Sequence, residues 1–109
     1  MAFAYTRQLA WHDSTAAEDV ALGTVPAGRI WVIRDVVIDN TNATTSTVAI
    51  YGRISGQPAT WTLLREDLLA EKVFHWEGRL AVPAGQVIRW VTTQSSCRVV
   101  VTGYDLTAI

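Results

Sequence analysis

The sequence predicts an all-β fold, a single antiparallel β-sandwich or jelly roll of about eight short strands. Apolar residues alternate at period two over short runs, broken by turn chemistry roughly every 8–12 residues. No segment carries the 3.6-residue periodicity of a long helix. The corner phrase Val-Pro-Ala-Gly occurs twice, at residues 25–28 and 82–85.

A chain of 109 residues holds one core, so a single domain is expected over residues 1–109, with residues 1–22 as an N-terminal arm contributing a strand. Half the residues are apolar and only 17% are charged. That is a heavy apolar load for a small domain, and cover by other chains is one explanation; a dense β core is the other. The formal charge is −1 and no basic run exists to neutralise a phosphate backbone, so nucleic acid is not an expected partner. Eight of the nine basic residues are arginines, Lys72 being the exception. Interfaces favour arginine over lysine, and a GC-rich genome would do the same. The lone Cys97 excludes an intrachain disulfide and a zinc knuckle, and reads as a buried inert thiol. The N-terminus has no basic start followed by an apolar run, so no signal peptide is expected. No apolar stretch approaches the ~20 residues that cross a bilayer, so no membrane role is expected.

Strand candidates follow in order. "FAYTRQLAW" supplies the first. "RIWVIRDVVID", residues 29–39, places Ile30, Val32, Val36 and Ile38 on one face and Trp31, Ile33, Asp35, Val37 and Asp39 on the other. Apolar residues on both faces imply cover on both. "NTNATTS" turns, "TVAIYGRI" alternates with Val48, Ile50 and Ile54 inward, and "TWTLLR" follows. "EDLLAEK" reads as one helical turn or a polar loop. "VFHW" and "RLAV" flank Glu77-Gly78, where Gly78 suits a two-residue hairpin turn. "QVIRWVTT" and "CRVVVTGYDL" close the chain.

In each Val-Pro-Ala-Gly copy, Pro26 or Pro83 fixes φ at the second turn position, and Gly28 or Gly85 closes a type I turn at the fourth. Two such corners are expected at equivalent places in the two sheets. The competing explanation is chance recurrence of common turn chemistry.

Catalytic constellations are not expected. His12 and His75 form no His-x-His pair; a metal site would need His75, Glu77 and His12 brought together from afar, and neither metal nor other cofactor is expected. Glu18-Asp19 and Glu66-Asp67 are neighbours that splay apart rather than a glycosidase pair. The serines lack a nucleophile-elbow context. The five tryptophans, 11, 31, 61, 76 and 90, are the notable surplus. They fit core filling, a subunit interface or a sugar platform. Trp31, Arg34, Tyr51, Arg53, Trp90 and Arg98 are the expected interface residues, as bulky or charged members of faces opposite or adjacent to the apparent core.

"TVPAGRIWVIRDVVIDNT", "LAEKVFHWEGRLAVPAGQVIRW" and "VVVTGYDL" together resemble a family of small bacteriophage virion proteins of the actinobacteriophage minor-tail or capsid-decoration type. The resemblance spans roughly residues 23–105. It implies a small β-sandwich that assembles, often as a homotrimer, on particles made in the bacterial cytoplasm. The expected function is therefore a non-enzymatic virion structural protein, most simply a minor tail component near the tail tip. A capsid decoration protein joining neighbouring capsomers is the alternative. An adhesin for host glycan is the reading from another class, and it requires at least two tryptophans exposed in one concave patch.

Overall fold

A computed structural model describes residues 7–107. The expectations placed on the first six residues lie outside the described residues. Eight strands follow one another: β1 (Arg7–Asp13), β2 (Glu18–Thr24), β3 (Arg29–Asn40), β4 (Ser46–Ile54), β5 (Trp61–Leu68), β6 (Val73–Pro83), β7 (Gln86–Thr92) and β8 (Cys97–Thr107). They form two four-stranded sheets, β1-β8-β3-β6 (sheet A) and β2-β7-β4-β5 (sheet B), with every pairing antiparallel.

One rule generates this topology. β1 pairs with β8, β2 with β7, β3 with β6 and β4 with β5, so each strand meets its mirror partner counted from the other end. The chain is thus a two-stranded ribbon with its tip at the β4–β5 turn. Wrapping it crosses from one sheet to the other three times, which is a jelly roll. The two layers make a slab with principal extents of 46 × 33 × 19 Å.

Both strands of the ribbon must bend wherever it changes sheet, and this explains the repeated phrase. The first Val-Pro-Ala-Gly joins β2 to β3 and the second joins β6 to β7, which is one corner of the ribbon seen on its two strands. They bond directly: Val25 N donates to Gln86 O at 3.0 Å, and Gly85 N donates to Val25 O at 2.9 Å. The turn geometry differs from the type I expectation. Arg29 N donates to Pro26 O at 3.2 Å and Gly28 has φ 74°, so glycine occupies the third position of a type II turn. Gly85 likewise has φ 86°.

The other two corners use side chains. Where β3 leaves for β4 beside the β5–β6 turn, the fully buried Asn40 donates through Nδ2 to Leu68 O at 3.0 Å, Thr44 O at 3.0 Å and Leu69 O at 3.2 Å. Its Oδ1 accepts from Asn42 N at 3.0 Å. At the β1–β2 and β7–β8 corner, Ser14 Oγ donates to Gln94 O at 3.1 Å and accepts from Cys97 N at 2.9 Å. Bends interrupt the strand ladder, so their buried backbone groups need such partners.

Four expectations about the strands themselves are also corrected. "EDLLAEK" is not helical: β5 runs to Leu68 and a turn follows, with Glu71 at φ 58°. Gly78 is not in a hairpin, because β6 is continuous from Val73 to Pro83 and Gly78 lies inside it. Its missing side chain makes room for the Trp76 indole, whose Cζ2 would be 2.7 Å from a β-carbon there. Residues 7–24 supply two strands rather than one, since β2 pairs with β7 in sheet B while β1 pairs with β8 in sheet A. Finally, β3 changes phase at Arg34. Ile33 pairs with Gly103 and Asp35 with Thr102, so Arg34 is an extra residue against β8, a β-bulge. Trp31 and Ile33 face inward before it, and Val36 and Ile38 after it.

The core forms between the sheets from these β3 residues with Val48, Ile50, Ile88, Trp90, Val99 and Val101. Ile54, expected inside, is exposed near the ribbon tip.

Candidate functional site

The two outer faces of the slab differ in chemistry. On sheet A, the ladder registers place Trp11, Val100, Val37 and His75 side by side across all four strands. Beyond the Arg34 bulge come the rows Tyr104, Val32, Ala81 and Leu106, Ile30, Pro83. Four of the large apolar side chains left exposed belong to this face: Trp11 (59%), Val73 (61%), Val37 and Leu106. Arg98 lies among them with its Nη2 3.4 Å from Asp13 Oδ2 on the neighbouring strand. Apolar rows of this kind, bordered by charges, have the composition of a contact surface.

Sheet B presents a polar face. Tyr51 donates its hydroxyl to Asp19 Oδ2 at 2.7 Å, and Arg89 donates from Nε to Asp19 Oδ1 at 3.0 Å and from Nη2 to Asp19 O at 2.8 Å. Burial works against the Arg89 charge, but Tyr51 and Asp19 outweigh it and hold its pKa above the ordinary value. Ala49 and Val87 are buried on this face despite pointing outward. This face is closed by its own side chains.

The six expected interface residues are dispersed. Trp90 is fully buried and Trp31 is 7% exposed, so both fill the core rather than offer surface. Tyr51 and Arg53 share the outer face of sheet B, Arg34 marks the β3 bulge, and Arg98 alone stands on the outer face of sheet A. No carboxylate pairs with Arg34 or Arg53 among the described residues, and the Nε of each is enclosed without a hydrogen-bond partner. Trp11 is the residue the sequence reading passed over. Its signal was its alternation with Ala10, which faces inward, on a strand at the edge of the sheet.

Three of the remaining tryptophans owe their positions to glycines. A β-carbon on Gly52 would lie 2.0 Å from the Trp61 indole, and one on Gly23 would lie 3.2 Å from Trp31 Cη2. Trp76 packs over Gly78 of its own strand, so each of the three indoles occupies space that a glycine leaves open. Trp61 Nε1 also donates to Gln86 Oε1 at 2.7 Å.

The ionisable groups form separate clusters. At one end Asp105 accepts from Arg29 Nε at 2.8 Å and Arg7 Nη2 at 2.7 Å. The Arg29 hydrogen bond outweighs burial and holds the Asp105 carboxyl below its usual range. The charges of both arginines assist, as does the Trp31 indole nearby, although its N–H forms no hydrogen bond of standard geometry. The set His12, His75 and Glu77 is not assembled. His12 Nε2 meets Glu18 Oε1 at 2.6 Å, whereas His75 and Glu77 gather with Asp35 on the outer face of sheet A.

No protein-family model matches the chain, and neither does any curated protein. Among solved structures, a chain of infectious bursal disease virus Gx strain is similar at a TM-score of 0.48 and 13% identity, over 94% of this chain and 33% of that one. A chain of the Gt strain is similar at a TM-score of 0.42 and 12% identity, over 94% of this chain and 31% of that one. The protein thus spans about a third of the chains it resembles. Likeness at this level carries no argument about function.

Proposed function

We propose that this protein is a non-enzymatic structural subunit of a bacteriophage particle that assembles through the outer face of sheet A. The observation that carries the reading is the unequal pair of faces. Sheet B ties Asp19, Tyr51 and Arg89 to one another and buries Ala49 and Val87, while sheet A leaves Trp11, Val37, Val73 and Leu106 in water beside Arg98. Covering that face returns its apolar area from water and desolvates a tryptophan, the side chain that most often anchors interfaces. The 46 × 33 Å outline of the slab exceeds the roughly 800 Å² per partner of a standard stable interface. The resemblance to small phage virion proteins supplies the setting, since a jelly roll by itself hosts many functions.

Within the particle, the reading is a minor tail component near the tail tip, present as a homotrimer whose copies contact one another through sheet A. Capsid decoration is the second reading, favoured by the 19 Å thickness, which suits a piece lying flat on a shell. The adhesin reading has less support. Trp11 alone among the tryptophans is largely exposed; Trp31 and Trp90 are buried, and Trp61 and Trp76 are half-buried against glycines. Immunogold labelling of purified virions tests the location. Gold at the tail tip supports the first reading, gold over the head supports the second, and unlabelled particles that contain no copy of the chain refute both.

A further inference from the structure

The geometry points to a divalent metal site on the outer face of sheet A, built by Asp35, His75 and Glu77 and suited to zinc. His75 and Glu77 are two residues apart on β6, so the strand pleat sends both side chains outward. Asp35 pairs with Glu77 across the β3–β6 ladder, and the register irregularity between Ile33 and Asp35 sets that pairing. One ligand atom from each of the three residues lies within 4.8 Å of the others, and His75 Nε2 is 2.9 Å from Asp35 Oδ1.

The donor set decides the ion. One imidazole nitrogen and two carboxylate oxygens suit borderline metals such as zinc, whereas calcium and magnesium take oxygen ligands. Tetrahedral ligands at zinc distances stand about 3.4 Å apart, so the His75–Asp35 contact must open slightly while Glu77 closes in. All three side chains are at least partly exposed and on one face, so rotamer adjustment suffices. Two carboxylates held this close repel one another, and Glu77 has no cationic partner among the described residues. A bound cation removes that repulsion. Three protein ligands leave a tetrahedral ion one position facing solvent, open to water or to a donor from a covering chain.

The test is calorimetric titration of untagged full-length protein with Zn²⁺, followed by Co²⁺ substitution read from visible absorption. Saturable one-to-one binding with tetrahedral Co²⁺ bands is expected. His75→Ala and Glu77→Gln, both exposed and outside the core, should each weaken binding more than ~10-fold. His12→Ala, which alters the histidine paired with Glu18, should leave binding unchanged. Absence of saturable binding, equal affinity in His75→Ala, or equal affinity for Mg²⁺ would overturn the assignment. Thermal melting of each variant without metal verifies that folding is retained; should His75→Ala fail to fold, Glu77→Gln decides by the same criterion.

Discussion

A β-carbon on Gly103 would lie 1.9 Å from the carbonyl oxygen of Val32. Gly103 pairs with Ile33 immediately before the β3 bulge. Because the obstacle is backbone in the middle of sheet A, nothing flexible can yield. Gly103→Ala is expected to destabilise the fold by about 3 kcal/mol or more. Urea denaturation should show a lower midpoint, and an unchanged midpoint would mean that the bulge relaxes freely.

Asn40 holds its ribbon corner by three donated bonds, to the carbonyls of Thr44, Leu68 and Leu69. Asn40→Ala removes the donor to Leu68 O in a buried site and to the part-buried Leu69 O. The expected cost is about 2–4 kcal/mol. Asn40→Asp is expected to be damaging as well, since it replaces donors with a buried charge. Chemical denaturation of both variants checks this.

These two residues show what could be read from the sequence and what could not. Period-two alternation located most strands because it reports a local fact, the pleat. The β3 bulge is not local. It exists because Gly103, some seventy residues away, opens space beside Val32, so a face assignment run straight through Arg34 put Trp31 on the wrong side. Gly78 misled for a related reason. Its role is to receive Trp76 within a strand, and a glycine between two apolar runs looks the same as a turn. The count of eight strands agreed through compensation: β6 was split in two, while β2, weakly patterned through Gly23 and a register shift, was absorbed into the arm. The repeated corner phrase was legible as a turn, but its pairing across one ribbon corner depended on topology. At the candidate site, the tryptophan surplus was visible. Which indoles fold down over a glycine, as Trp31, Trp61 and Trp76 do, depended on how the strands come together.

Asp105 links charge to stability. Its carboxyl sits below the ordinary range in the folded protein, mainly through the Arg29 hydrogen bond, and returns to that range when the chain unfolds. The folded state therefore binds this proton less readily. Its contribution is fully present above the ordinary carboxylate pKa and fades as pH falls through and below about 4. Asp105→Asn should lose about 1 kcal/mol at neutral pH and show a shallower fall in stability between about pH 5 and pH 2. Melting temperatures across that interval provide the check.

Trp90 and Trp11 should separate folding from assembly. Trp90→Ala removes a fully buried side chain and is expected to cost about 3–5 kcal/mol, weakening assembly through the fold. Trp11→Ser changes a residue 59% exposed, and should alter monomer stability by no more than about 0.5 kcal/mol. Its effect should appear in association instead, as a raised dissociation constant in sedimentation equilibrium.

The central claim, that the outer face of sheet A is an assembly surface, is tested most directly by the molar mass of the purified protein and its Trp11→Ser/Val37→Ser variant, measured by light scattering over a concentration series. The account predicts a wild-type mass about three times the 12.0 kDa of one chain, and a shift to the monomer in a variant that keeps its β-sheet circular dichroism. A wild-type protein that stays monomeric at every concentration, or a variant that assembles as well as wild type, would contradict it.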